Sequence, residues 1–191
     1  MKRIKNSLKI TAILCVFFFL LSCNNTLGDS DKSSVILIVT RIIGQSVEGN
    51  DADYLASDVR TDTDPPSVGT NPVIAILEVK FKNPEPLLPG TSYKTSVMID
   101  RYTVTYTSPR GDPVPAAFEG RLAVVCEVDA SVSLEILAVR AEAKEVPPLS
   151  TIGGGNLEAV AEIRFIGHDL EGNGVEATGY LTIYFANWAD S

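Results

Sequence analysis

Six acids fall within one short stretch: Glu48, Asp51, Asp53, Asp58, Asp62 and Asp64. Oxygen ligands at this density can hold a hard cation such as Ca2+, which nominates Asp51, Asp53, Asp58, Asp62 and Asp64 as metal ligands. An EF-hand register fails, because Leu55 stands where a third ligand is needed and Ala56 where the glycine is needed. Other chemistry-bearing residues are sparse. His168 is the single histidine, and neither a Gly-x-Ser-x-Gly elbow nor a His-Glu-x-x-His pair accompanies it. Gly153-Gly154-Gly155-Asn156 lacks the Lys-Ser/Thr of a phosphate cradle and suffices as a flexible crossing. Carboxylates from distant strands could still form a glycosidase pair, so a carbohydrate-active enzyme or accessory domain stays as an alternative. No catalytic residue is nominated. The expectation is a non-enzymatic protein with no cofactor beyond Ca2+ on the acidic stretch 48–64.

The most specific chemistry belongs to Cys23. Upstream lie Lys2, Arg3, Lys5 and Lys9, then an apolar run from Ile10 to Leu21 that contains Phe17-Phe18-Phe19. Ser22, a small residue, precedes the cysteine. A basic n-region, an apolar h-region and a small residue read as a secretion signal spanning 1–22, removed before Cys23. As a membrane span, Ile10 to Ser22 is too short, since a bilayer core needs roughly 20 residues.

Leu20-Leu21-Ser22-Cys23 resembles the bacterial lipoprotein signal motif position by position. The resemblance implies a diacylglyceryl thioether on Cys23, cleavage before it and acylation of its amine, with palmitate as a typical chain. It also implies that Asn24 does not retain the protein at the inner membrane. The expected location is extracytoplasmic, lipid-anchored to a bacterial membrane, and the outer membrane in a Gram-negative cell. Each buried CH2 adds about 0.8 kcal/mol, so one chain binds marginally and two or more hold firmly.

Charge sharpens the placement. With the four basic residues of the leader removed, 12 basic and 24 acidic residues remain, a net charge of −12. That excludes nucleic acid as an expected partner and excludes a polybasic hold on anionic lipid. Cys15 leaves with the leader and Cys23 is consumed by lipid, so Cys126 is left alone as a small buried hydrophobe among Val124, Val125 and Val128. Residues 23–33 are polar and read as a flexible tether, at most ~35 Å long when extended.

Residues 34–191 must form the domain. Strand-like runs cover Val35–Ile43, Val73–Phe81, Val97–Thr107, Phe118–Val128, Val132–Ala141, Leu157–Gly167 and Val175–Ala186. In the last run Leu181, Ile183 and Phe185 share one face, and Tyr180, Thr182 and Tyr184 the other. Residues 109–113 and 169–174 supply hairpin turns, and prolines at 65, 66, 72, 84, 86 and 89 fall between the runs. A helical reading of Ser131 to Glu145 is outweighed by its β-branched residues. Gly44 to Asn71 is left as a loop of about 28 residues, long enough to suggest a function.

Seven such runs predict an all-β, seven-stranded antiparallel β-sandwich. Their spacing is similar to immunoglobulin or fibronectin III domains, and Asp169-x-x-Gly172-Asn173 is similar to the last hairpin of bacterial immunoglobulin-like domains. In such a sandwich the first loop lies opposite the last hairpin, which separates Asp51 from Asp169 and Glu171. Arg101, Tyr102, Tyr106, Arg110 and Tyr93 could form a contact surface, but the alternation of Tyr102 and Tyr106 with threonines places those two on a packed face. The functional expectation is a lipid-anchored cell-envelope lipoprotein whose sandwich is a non-catalytic binding or structural module. Its expected partner is an envelope protein or a glycan.

Overall fold

The computed structural model describes residues 32–61, 66–83 and 96–188. All seven sequence-predicted strands form within them: β1 (Val35–Gln45), β4 (Asn71–Phe81), β5 (Val97–Thr107), β6 (Phe118–Cys126), β7 (Ser131–Val139), β8 (Asn156–Asp169) and β9 (Gly174–Ala186). Two more lie between β1 and β4, namely β2 (Asp51–Ala52) and β3 (Tyr54–Asp58). The described residues therefore hold nine strands, and the stretch read as one long acidic loop is partly strand. Its polar residues masked an alternation: Leu55 and Ser57 point inward from β3, while Tyr54, Ala56 and Asp58 do not.

The strands form two sheets, ordered β2-β1-β4-β7 and β3-β9-β8-β5-β6. With β1, β4 and β7 facing β9, β8, β5 and β6, this is the A-B-E against G-F-C-C′ arrangement of an immunoglobulin-like sandwich. Pairing of the strands is antiparallel except that β3 joins β9 in parallel, Tyr54 opposite Thr182 through Asp58 opposite Ala186. The chain thus passes from one sheet to the other between β2 and β3, and Gly44 of β1 lies against that crossing. A Cβ there would lie 2.2 Å from the Tyr54 carbonyl oxygen, so only glycine permits the crossing.

Apolar alternation builds the core. Leu37 and Ile42 of β1, Leu77 and Val79 of β4, and Leu134 and Ile136 of β7 face Ile99, Val104, Ile163, Phe165, Ile183 and Phe185 of the other sheet. Cys126 is buried with them as a free thiol. Tyr102 and Tyr106 are buried too and reach across the sandwich: Tyr102 Oη accepts from the Leu137 amide at 3.1 Å, and Tyr106 Oη donates to the Ala138 carbonyl. The reason lies in β4. Pro72 sits inside that strand, not outside it as the sequence suggests, and the register slips there so that Ala138 is an extra residue facing Asn71–Pro72. A bulge beside a proline leaves strand polar groups without ladder partners, and the two phenols supply them.

The long connection after β7 is not helical over Ser131–Glu145. It holds a single helical turn, α1 (Ala141–Lys144), then a cis Pro147–Pro148 bond and a 3-10 turn at Leu149–Thr151. Among the described residues no helix is long and apolar enough to cross a membrane.

Candidate functional site

The two ends of the sandwich differ. At one end the chain enters β1 and the β8–β9 hairpin turns. Ser33 is buried there and hydrogen-bonds the Asp169 carboxylate. Asp169 Oδ1 also accepts the amides of Glu171 and Asn173, both at 2.9 Å, and its Oδ2 accepts Asn173 Nδ2 at 3.0 Å. Burial pushes this carboxyl up, but the hydrogen bonds from Asn173, Ser33 and Glu171 outweigh it and hold the group below the usual carboxylate range. The Asp169-x-x-Gly172-Asn173 motif is thereby a hairpin lock, with Gly172 at φ 82° completing the turn.

At the other end, where β8 begins and β9 finishes, a cleft of about 560 Å³ opens. Val59 and Arg60 leave β3 along one side, Pro66 to Val68 continue that side, and Leu149, Ser150 and Ile152 form the other. This volume falls within the usual range of small-molecule sites. The wall mixes apolar surface with polar groups. Ser67, Ser150 and Asn187 contribute hydroxyl and amide groups, and among the described residues Glu145 is the one acid that lines it.

Lys144 is the unusual member. It lines the cleft yet is only 3% exposed, a rare state for lysine. The single turn of α1 directs it inward, where Nζ donates to the Asp58 carbonyl oxygen. Burial drives its amine down from the ordinary 10.5 to about 8, and the Asp58 charge offsets only part of that. Asp58 in turn holds the chain end: its Oδ1 accepts the Trp188 amide at 3.2 Å.

The acidic candidates do not assemble. Asp58 is engaged as just described. Asp51 pairs opposite Gln45 at the end of β1 and lines a shallow pit of about 60 Å³ with Glu135. Asp53 is exposed between β2 and β3. Asp62, Asp64 and Cys23 lie outside the described residues, as does Tyr93. Among the described residues, no three His, Cys, Asp or Glu side chains cluster closely enough to hold a metal. Asp169 stands at the start of β1 and Asp51 at its end, so the two do not form a composite site.

His168 contacts Asp100 through Nδ1 at 3.0 Å on the open face of the five-stranded sheet. Arg101 and Arg110 reach Glu119 and Glu158, at 3.8 and 3.7 Å. Among the described residues the exposed aromatics are on the last strand: Tyr180 is 64% exposed, and Tyr184 packs edge-on against Tyr54 with ring centres 5.7 Å apart. Alternation in β9 already separates these tyrosines from the core. Nothing in the local sequence Ala-Glu-Ala-Lys marks Lys144, whose burial depends on contacts with segments some 85 positions away.

No family model matches the chain, and no curated protein matches it.

Proposed function

We propose that this protein is a lipid-anchored cell-envelope lipoprotein whose sandwich is a non-catalytic binding module, held by Cys23 and presenting its cleft end outward. The observation that carries the reading is the order of parts: a Leu-Leu-Ser-Cys motif behind a basic and apolar leader, a polar tether of ten residues, then the sandwich. Geometry supports it. The chain enters at the Ser33–Asp169 end, and β8 runs to that end from the cleft end. Fourteen strand residues span about 45 Å. A short tether keeps the hairpin end near the bilayer and leaves the cleft and its surrounding loops facing whatever lies beyond, an envelope protein or a glycan. The acidic mature chain leaves the lipid, not electrostatics, to hold it there.

Photo-crosslinking in intact cells tests the reading. A crosslinker at Ser150, on the cleft rim, captures an envelope component, and the same crosslinker at Leu170, on the hairpin tip, does not. Equal capture at both positions, or none at either, contradicts the proposed orientation.

A further inference from the structure

We propose that the cleft between the chain that leaves β3 and the α1 connection is a binding site for a small organic anion, with its acid group held by Lys144 and Arg60 and its apolar body against Leu149, Ile152 and Val68. The inference rests on the cleft alone and is independent of the anchor.

Three observations point to this ligand class. First, the cleft brings two cations, Lys144 and Arg60, to a surface whose one lining acid among the described residues is Glu145, in a chain whose overall balance is strongly acidic. Second, Lys144 is buried with one hydrogen bond among the described residues, to the Asp58 carbonyl, although an ammonium carries three donors. Burying such a group is costly unless it is paired, and an anion in the cleft supplies the missing partner. Third, the walls split by polarity. Val59, Pro66, Val68, Leu149 and Ile152 offer apolar contact, whereas Ser67, Ser150 and Asn187 offer donors and acceptors for an oxyanion or a hydroxyl. An ion as small as chloride or sulfate would leave the apolar wall and most of the 560 Å³ unused.

The charged groups around Lys144 define a signature. Burial disfavours its protonated form, Asp58 from β3 favours it, and Arg60 and Glu145 line the same cleft. An arriving anion stabilises the ammonium, so binding draws a proton onto Lys144 at mildly alkaline pH. Binding also weakens as pH rises and the empty site loses that proton.

The test uses benzoate and benzamide, the same ring with and without the charge, titrated into the full-length protein in detergent. Trp188 is the single tryptophan, and its amide is bonded to Asp58, so its fluorescence is the built-in reporter. Saturable binding of benzoate is expected, at least about ten-fold tighter than that of benzamide and weakening several-fold between about pH 7 and pH 10. Lys144→Met reduces benzoate affinity about ten-fold or more while the protein still melts cooperatively. Arg60→Gln, an exposed change that leaves the fold alone, reduces it several-fold. Equal binding of the two ligands, no saturable response, or benzoate binding indifferent to both substitutions overturns the proposal.

Discussion

The Tyr106 hydroxyl donates to the carbonyl oxygen of Ala138 across the interior, at 2.5 Å, tying the end of β5 to the edge strand β7. Ala138 is the extra residue of the bulge opposite Pro72, so its polar groups lie where the ladder is broken. Burial pushes the Tyr106 phenol far above its ordinary value, which keeps it protonated and donating at every physiological pH. Tyr106→Phe leaves the ring packed and the carbonyl unpaired. The expected loss is about 1–3 kcal/mol, read as a lower urea midpoint with an unchanged slope.

Asp169 makes the hairpin end sensitive to acid. Its folded pKa is below that of the unfolded chain, so its contribution is present above the unfolded value and is lost as pH falls through the folded one. Asp169→Ala removes the acceptor for Glu171, Asn173 and Ser33 and costs about 2 kcal/mol at neutral pH. Denaturation followed toward acid pH checks the sign. The wild-type and variant stabilities converge as the wild-type carboxyl takes up its proton.

Lys144 gives a slope of the same sign at the other end of the pH scale. Below about pH 8 its amine is charged in both states, and the folded protein bears the full cost of the buried charge. Between about 8 and 10.5 only the unfolded chain keeps the proton, so stability rises with pH. The rise is at most about 3 kcal/mol over the window. Lys144→Met flattens it, and the comparison is cleanest up to about pH 9.5, before unfolded tyrosines ionise.

Gly120 faces Tyr102 across the β5–β6 pair, and a Cβ at Gly120 would fall 2.2 Å from the ring. The Tyr102 ring therefore lies over the glycine. Gly120→Val forces the ring off its bond to the Leu137 amide, at a cost of about 1–3 kcal/mol. Thermal melting of the two proteins checks this, and an unchanged midpoint would falsify the packing role assigned to the pair.

Much of the sandwich was legible because its strands alternate cleanly. Val104 and Tyr106 in β5, and Leu181, Ile183 and Phe185 in β9, announce their inward face by period two. Two short strands escaped because Asp51, Asp53 and Asp58 looked like loop and because five residues of β3 offer little periodicity. Pro72 escaped because a proline reads as a strand boundary, whereas here a bulge accommodates it. The cleft was invisible for a different reason. Val59, Lys144, Leu149 and Asn187 come from segments remote in sequence, and no local pattern encodes their meeting. The hairpin motif around Asp169 resembles a family pattern in sequence, but its physical content, a buried carboxylate collecting hydrogen bonds, depends on Ser33, which reaches it from the start of the domain.

The central claim is that Cys23 is the lipid-bearing first residue of the mature protein. Mass spectrometry of the mature amino-terminal peptide, on protein extracted from its membrane, tests it most directly. The account predicts a peptide that starts at Cys23 and carries a diacylglyceryl thioether, absent from the Cys23→Ala protein, which leaves the membrane or keeps its leader. A mature chain that starts elsewhere, or a Cys23 with a free thiol in membrane-bound protein, contradicts it.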